Sequence, residues 1–174
     1  MRRVSLVARQ ALEDAGSAEV EVVLVVVTHE ALSAPIKIST DPTERLSVAP
    51  LAYSTRSTWR AAEAGDEPFL FTAVSTLVPG DQDDVPAAAT LILEALDNRI
   101  ADELRKTTTR ARVDIAVVMA SSPDLVEAEW LDLRLVAAEG DPGQIVLSIS
   151  RDPITDEPWP AGRMTRERFP GLHR

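Results

Sequence analysis

Short stretches of alternating or clustered apolar residues recur along the chain, and they predict a fold made mainly of antiparallel strands. Residues 19–28 are the most apolar of these stretches, and their β-branched residues fill both phases of a strand. We therefore expect this strand to be covered on both faces. The other predicted strands are residues 35–40, 69–78, 89–96, 112–119, 131–136 and 145–150.

The last two predicted strands form the clearest pair. Residues 139–144 between them are a turn cluster that contains glycine and proline, and such a cluster joins antiparallel neighbours. Leucine and isoleucine recur at every second position of both strands. One face of the pair should therefore pack in the core, and the other should face solvent. The expected core residues are Leu131, Leu133 and Leu135, facing Ile145, Leu147 and Ile149.

Two helices are predicted beside the strands. An apolar stripe at helical spacing runs through residues 4–12, and Gly16 follows at the position of a C-terminal cap. Asp97 or Asn98 can cap a second helix that continues to Arg105. The predicted fold class is therefore α+β, mainly antiparallel β, with an N-terminal helix.

Residues 44–59 are less regular and predict an edge strand followed by a loop, because Pro50 excludes a central strand. The length of 174 residues is that of one ordinary domain. We assign residues 1–151 to a single β-rich domain, since periodicity stops after Arg151.

Residues 152–174 predict an extended C-terminal arm. Four prolines in these 23 residues disfavour both helix and sheet. The arm is nevertheless too apolar for a disordered tail, so its apolar residues are candidate anchors. They could sit in grooves of their own domain or of a neighbouring subunit, and the sequence leaves both open. The candidate subunit-contact residues are Ile154, Trp159, Met164, Phe169 and Leu172.

The charge and composition exclude several classes of function. With 28 acidic and 18 basic residues the formal charge is -10, which disfavours general binding of nucleic acid. The chain has no cysteine, so disulfides, thiolate metal ligands and a cysteine nucleophile are all excluded. Acidic and polar residues interrupt the apolar run at the N-terminus before it resembles a signal peptide. The longest apolar run, residues 22–27, is far too short to span a membrane.

The residues that could carry chemistry do not form a recognisable catalytic or cofactor site. The glycines do not assemble into a phosphate-binding loop. The two histidines, His29 and His173, lie far apart, and no nucleophile motif accompanies either. An acidic loop, Asp81–Asp84, is a weak candidate for a cation, because Pro86 breaks the calcium-loop pattern. We therefore expect a protein that is not an enzyme and needs no cofactor or metal.

Three motifs resemble a family of tailed-phage proteins that are encoded between the tape-measure gene and a cell-wall peptidase or tail-fibre gene. The first is Leu91-Ile-Leu-Glu-Ala-Leu-Asp-Asn-Arg-Ile100, in which a strand leads into a helix. The second is Ala120-Ser-Ser-Pro-Asp124, which follows a strand. The third is the C-terminal pair Glu157-Pro-Trp-Pro160 and Arg168-Phe-Pro-Gly-Leu172. The resemblance runs from about Val20 to the C-terminus.

The resemblance implies a distal-tail or hub-type protein of the phage tail tip. It implies a β-sandwich or barrel flanked by a short helix, assembled as a ring of three or six copies. The partners would be copies of itself and neighbouring tail-tube and tail-tip proteins. The protein would be made in the host cytoplasm and end in the virion, where an acidic lumen would let DNA pass without binding.

The alternative function is a monomeric β-sandwich module that binds carbohydrate or another small ligand. An exposed pair of aromatic side chains on one face, such as Trp59 with Tyr53, would favour this alternative. A small hydrolase that uses two carboxylates is a third hypothesis, and it requires a buried cleft with two close acidic residues.

Overall fold

The computed structural model describes residues 4–49, 51–77, 88–94, 109–141, 144–151, 165 and 167–172. In these residues one mixed sheet of ten strands is accompanied by two short helices and a 3-10 turn. The strands are β1 (Glu21–Thr28), β2 (Ile36–Ser39), β3 (Glu44–Val48), β4 (Leu51–Thr55), β5 (Phe69–Phe71), β6 (Ala73–Leu77), β7 (Ala88–Glu94), β8 (Arg112–Met119), β9 (Ser122–Asp141) and β10 (Gln144–Ser150). The helices are α1 (Leu6–Glu13) and α2 (Ala61–Ala64), and the 3-10 turn is Pro170–Leu172.

The strands follow the order β3-β4-β5-β2-β1-β8-β9-β10-β7-β6 across the sheet. Within the described residues all neighbouring strands are antiparallel except β2 and β5, which are parallel. The predicted α+β fold with mainly antiparallel strands is therefore confirmed. The two ends of the sheet are formed by β3 and β6.

Strands β1 and β8 form the centre of the sheet and are covered on both faces. They pair along their full lengths, from Glu21 opposite Met119 to Thr28 opposite Arg112. One face contributes to a core with residues of β2, β7, β9 and β10. The opposite face contributes to a second core that includes Trp59, Ala64 and Phe69. The prediction of a doubly covered first strand is confirmed, because residues 24–27 are all buried.

Strand β9 is 20 residues long and changes partner along its length. Its first part pairs with β8, as far as Arg134 opposite Arg112, and its last part pairs with β10. Asp132 has a positive φ of 59°, and the pairing with β8 shifts register between Val113 and Ile115. A bulge of this kind bends a strand and exchanges the faces of the residues on either side of it. β9 therefore connects the strands around β8 with the strands around β10.

The bulge changes one detail of the predicted pairing between the last two strands. β9 and β10 are antiparallel neighbours, as predicted. Leu131, however, precedes the bulge and packs against the second core, on the other face of the sheet. Its predicted position was wrong because regular alternation does not continue through Asp132. The shared core of the two strands is formed by Leu133, Leu135, Leu147 and Ile149.

The stretch predicted as one strand over residues 69–78 is divided at Thr72. β5 pairs with β2 and β4, whereas β6 pairs with β7 at the other end of the sheet order. The Thr72 N–H donates to the Ser39 carbonyl at 3.0 Å, so this residue still follows β2. Because only Thr72 separates β5 from β6, the third and last strands of the order lie close in space. The sheet is therefore strongly curved.

Helix α1 is present as predicted, but it begins two residues after the start of the apolar stripe and ends before the predicted cap. Ser5 is its N-cap, and the Ser5 side chain accepts a hydrogen bond from the Ala8 N–H at 3.1 Å. The Ser5 N–H donates to the buried carboxylate of Glu127 at 2.8 Å, which ties the helix to β9. The cap at the other end is Asp14 rather than Gly16.

Several predicted features lie outside the described residues. They are the second helix that ends at Arg105, the acidic loop Asp81–Asp84, and most of the arm. The division into residues 1–151 and 152–174 therefore stays a prediction.

Candidate interaction surface

One face of the central strands is covered by residues 57–64, which we call the covering segment. It contains α2 and crosses β8 and the start of β9, where polar contacts hold it in place. These hydrogen bonds run from Ser57 Oγ to the Pro123 carbonyl (2.7 Å), from the Thr58 N–H to Asp124 Oδ1 (2.7 Å) and from Trp59 Nε1 to Glu129 Oε2 (3.3 Å). The covering segment thereby seals the second core.

The largest apolar side chain of the covering segment is that of Trp59. Its ring stacks on buried Phe69 with the centroids 6.1 Å apart. Lys37 Nζ lies 5.0 Å from the Phe69 ring centroid and donates to the carbonyls of Gly65 and Glu67. Burial lowers the pKa of Lys37, while the nearby Glu67 carboxylate acts in the opposite direction. The ammonium group of Lys37 therefore lies at the border of the second core.

A buried carboxylate, Asp114, joins the covering segment to the bulge in β9. The Arg60 guanidinium donates to Asp114 Oδ2 at 2.6 Å, and the Asp132 N–H donates to Asp114 Oδ1 at 2.8 Å. Arg60 and Asp132 are also the non-glycine residues with positive φ in the described chain. Positive φ is unfavourable for such residues, so the surrounding contacts must hold them. We conclude that Asp114 stabilises both local conformations.

Beyond β5 the covering segment does not extend over the sheet, and this end of the sheet exposes apolar side chains in the described part of the chain. Val48 lies directly opposite Leu51, so these two side chains share a face. Phe71 lies on that face too, since Phe69 is opposite Thr55 and side chains alternate along each strand. We define the hairpin surface as these three residues, Val48 (72% exposed), Leu51 (60%) and Phe71 (37%), together with Leu46 (39%) at the bulge of β3.

The hairpin formed by β3 and β4 is fixed at its base and uncharged at its tip. Arg56 donates twice to the Glu44 carboxylate, at 2.6 and 3.2 Å, and this hydrogen bonding raises the pKa of Arg56. A register shift between Arg45 and Ser47 marks a bulge in β3. Residues 46–55 beyond this base contain no charged side chain. The hairpin can therefore present its tip to a partner in a defined orientation.

Two of the five predicted subunit-contact residues are described. Phe169 is 45% exposed, and its N–H donates to the Thr165 carbonyl at 2.9 Å. Leu172 belongs to the 3-10 turn. Ile154, Trp159 and Met164 lie outside the described residues. Their roles stay predictions.

The hairpin surface was missed by sequence reasoning, which assigned residues 44–59 to an edge strand and a loop. A signal was present, because residues 46–55 are an uncharged run in a chain of which 26% of the residues are charged. The run also places several apolar side chains on a predicted edge strand, at the border of the sheet. That combination indicates a contact surface.

The described histidine, His29, is held by hydrogen bonds through both ring nitrogens. His29 Nε2 lies 2.7 Å from Thr109 Oγ1, and His29 Nδ1 accepts a hydrogen bond from the Ala31 N–H at 3.0 Å. No group of three acidic or histidine side chains in the described part of the chain is arranged to hold a metal. An open groove of about 500 Å³ beside α1 is lined by Val7, Gln10, Ala11, Glu13, Asp14, Ser17 and Glu19.

The aromatic pair that would favour carbohydrate binding is not exposed. Trp59 is 7% exposed and stacks on Phe69, so it cannot serve as a platform for a sugar ring. Tyr53 is half-buried on β4. The described residues also include no helix with the length and apolar character required to cross a membrane.

Comparison with known proteins gave no assignment. No protein-family model matches the chain, and no curated protein matches it either. The functional argument therefore depends on the geometry described above and on the motifs in the sequence.

Proposed function

We propose that this chain is a structural subunit of the tail tip of a phage or phage-like particle. It forms a ring with its own copies, three or six in number, between the tail tube and the host-recognition apparatus. The observation that carries this proposal is the hairpin surface. Leu46, Val48, Leu51 and Phe71 are exposed together at the end of a sheet whose centre is covered on both faces. Contiguous exposed apolar side chains of this kind mark sites of protein contact.

The curved sheet supports the tube-like fold that the sequence motifs imply. In this proposal the sheet forms a barrel or sandwich in which two strands turn the corners. β9 turns at the bulge beside Asp132, and the β5–β6 strand turns at Thr72. Strands that pass from one sheet to the other through such bends are typical of orthogonally packed β structures.

The arm, residues 152–174, is proposed to cross to a neighbouring subunit. Phe169 supports this, because its side chain is 45% exposed and therefore accessible to a neighbouring subunit. The other proposed anchors are Ile154, Trp159, Met164 and Leu172.

The acidic character of the chain suits a ring through which DNA passes. A formal charge of -10 per copy repels phosphate, so carboxylates facing a central lumen would let DNA slide without binding. Two acidic residues beneath the covering segment have structural partners instead, since Asp114 and Glu129 accept hydrogen bonds from Arg60 and Trp59. We therefore propose a role without catalysis, cofactor or metal.

The oligomeric state tests this proposal directly. Sedimentation equilibrium of the full chain should give three or six times the mass of one chain, and tail-tip particles should contain the protein in a ring. The chain truncated after Arg151 should keep its β-sheet circular dichroism but associate more weakly. A full chain that stays monomeric at all concentrations and is absent from particles would refute the proposal.

A further inference from the structure

The two longest uncharged runs of the sequence, residues 46–55 and 68–80, supply the strands at both ends of the sheet. The first run contains the tip of β3 and all of β4. The second contains β5 and β6. Each copy has a formal charge of -10, so two copies repel each other over most of their surfaces. Contact between copies is therefore favoured where both surfaces are uncharged.

The two ends of the sheet offer different kinds of contact. β6 pairs with β7 in unbroken register along its whole length, and its outer side has no partner strand among the described residues. It contains no charge, proline or bulge, which are the features that usually prevent strand addition at an edge. β3 has a bulge and charged residues at its start, whereas its tip and β4 expose apolar side chains.

We infer that the hairpin surface of one copy docks against the β6 edge of a second copy. A head-to-tail contact covers both uncharged ends of the sheet in one interface. A symmetrical contact of β3 with β3, or of β6 with β6, would leave the other end uncovered. Head-to-tail contacts also generate rings when the rotation between copies closes. The inference rests on the proposed function and names the surface through which the ring forms.

Cysteine cross-linking tests the contact, because the natural chain has no cysteine. The substitutions are Val48→Cys on the hairpin surface and Ser75→Cys on β6, and both positions are exposed. The two single variants are oxidised separately and as a mixture, and the products are identified by mass spectrometry. The mixture should give a 48-to-75 disulfide, each variant alone should stay uncross-linked, and the double variant should give a ladder of oligomers.

Disulfides within either single variant would show a symmetrical contact and overturn the inference. The absence of a 48-to-75 disulfide under conditions where the protein is oligomeric would overturn it as well. In that case the ring itself, and so the proposed function, would still stand. A wild-type protein that never associates would remove both proposals together.

A charge substitution gives an independent measurement. Val48→Asp should weaken self-association by about tenfold or more, because it places a charge in an uncharged interface. Leu12→Asp on α1 is the matched control, since Leu12 is 77% exposed and Val48 72% exposed. The control should associate like the wild type. Equal effects of the two substitutions would show that added charge alone is responsible and would overturn the inference.

Discussion

The centre of the sheet and the β3–β4 hairpin are both rich in aliphatic residues but differ in what covers them. In β1, residues 24–27 are buried because two cores lie on opposite faces of the strand. In the hairpin, Val48 and Leu51 form a cross-strand pair that no described residue buries, and most of each side chain is exposed. The same residue types stabilise the fold in one region and provide a contact surface in the other.

The difference arises from the covering segment. It follows β4 in the chain and lies over β8 and β9, not over the hairpin. Its attachment points, Asp114, Asp124 and Glu129, all lie on β8 or β9. The hairpin is attached to the sheet only through its pairing with β5 and through buried polar contacts such as Ser39 Oγ with Thr55 Oγ1 at 2.8 Å, among those described. Apolar surface at that end is therefore left for a partner.

The largest expected effect comes from Asp114→Ala, which removes the acid beneath the covering segment. The substitution leaves the Arg60 guanidinium and the Asp132 N–H without their buried acceptor. We expect the free energy of unfolding to fall by about 3–5 kcal/mol, as when one partner of a buried ion pair is removed. Urea denaturation followed by circular dichroism measures the loss.

Asp124→Ala is the matched control for that prediction. Asp124 also holds the covering segment, through the Thr58 N–H and hydroxyl, but it is exposed. Its removal should cost only about 1 kcal/mol, the usual net value of a hydrogen bond that water can replace. Equal losses for the two variants would show that Asp114 has no special role at the bulge.

The same substitution placed in both regions tests the comparison itself. Leu24→Ala in the doubly covered centre should lower the free energy of unfolding by about 2–5 kcal/mol, because it leaves a cavity in the core. Leu51→Ala on the hairpin surface should change it by about 0.5 kcal/mol or less in the dissociated protein. A large loss for Leu51→Ala at low protein concentration would mean that the hairpin surface belongs to the core.

The sequence predicted the centre of the fold better than its ends, for a physical reason. Periodicity reports which residues are apolar along one strand, and β1 and β10 are regular strands. It does not report a bulge, and the positive φ of Asp132 moved Leu131 to the other core. It also does not report which strands become neighbours, so the division of one predicted strand at Thr72 was not foreseen.

The candidate surface was harder to predict than the fold, because exposure is a property of the assembled sheet. Leu24 and Leu51 are indistinguishable as residue types. Only the strand order shows that Leu24 lies at the centre and Leu51 next to the last strand at one end. The sequence shows that residues 46–55 are uncharged. This indicates a contact surface only once the strand order places these residues at the end of the sheet.

Lys37 lies at the border between the two regions and gives the smallest expected effect. Burial lowers its pKa from the ordinary value of 10.5, so between the lowered pKa and 10.5 the folded protein binds fewer protons than the unfolded chain. The free energy of unfolding should therefore rise with pH across that interval. The destabilisation from the buried charge is present at neutral pH and is relieved as Lys37 loses its proton.

Lys37→Met should abolish this rise, as measured by urea denaturation at a series of pH values up to about 11, where an ordinary lysine is mostly deprotonated. The test is the difference between the profiles of the variant and the wild type. Lys106→Met removes the other lysine of the chain and should leave the profile unchanged. Loss of the hydrogen bonds to the Gly65 and Glu67 carbonyls lowers stability at every pH, and does not alter the slope. Identical profiles for Lys37→Met and wild type would mean that water reaches the Lys37 ammonium group and that the second core does not extend to it.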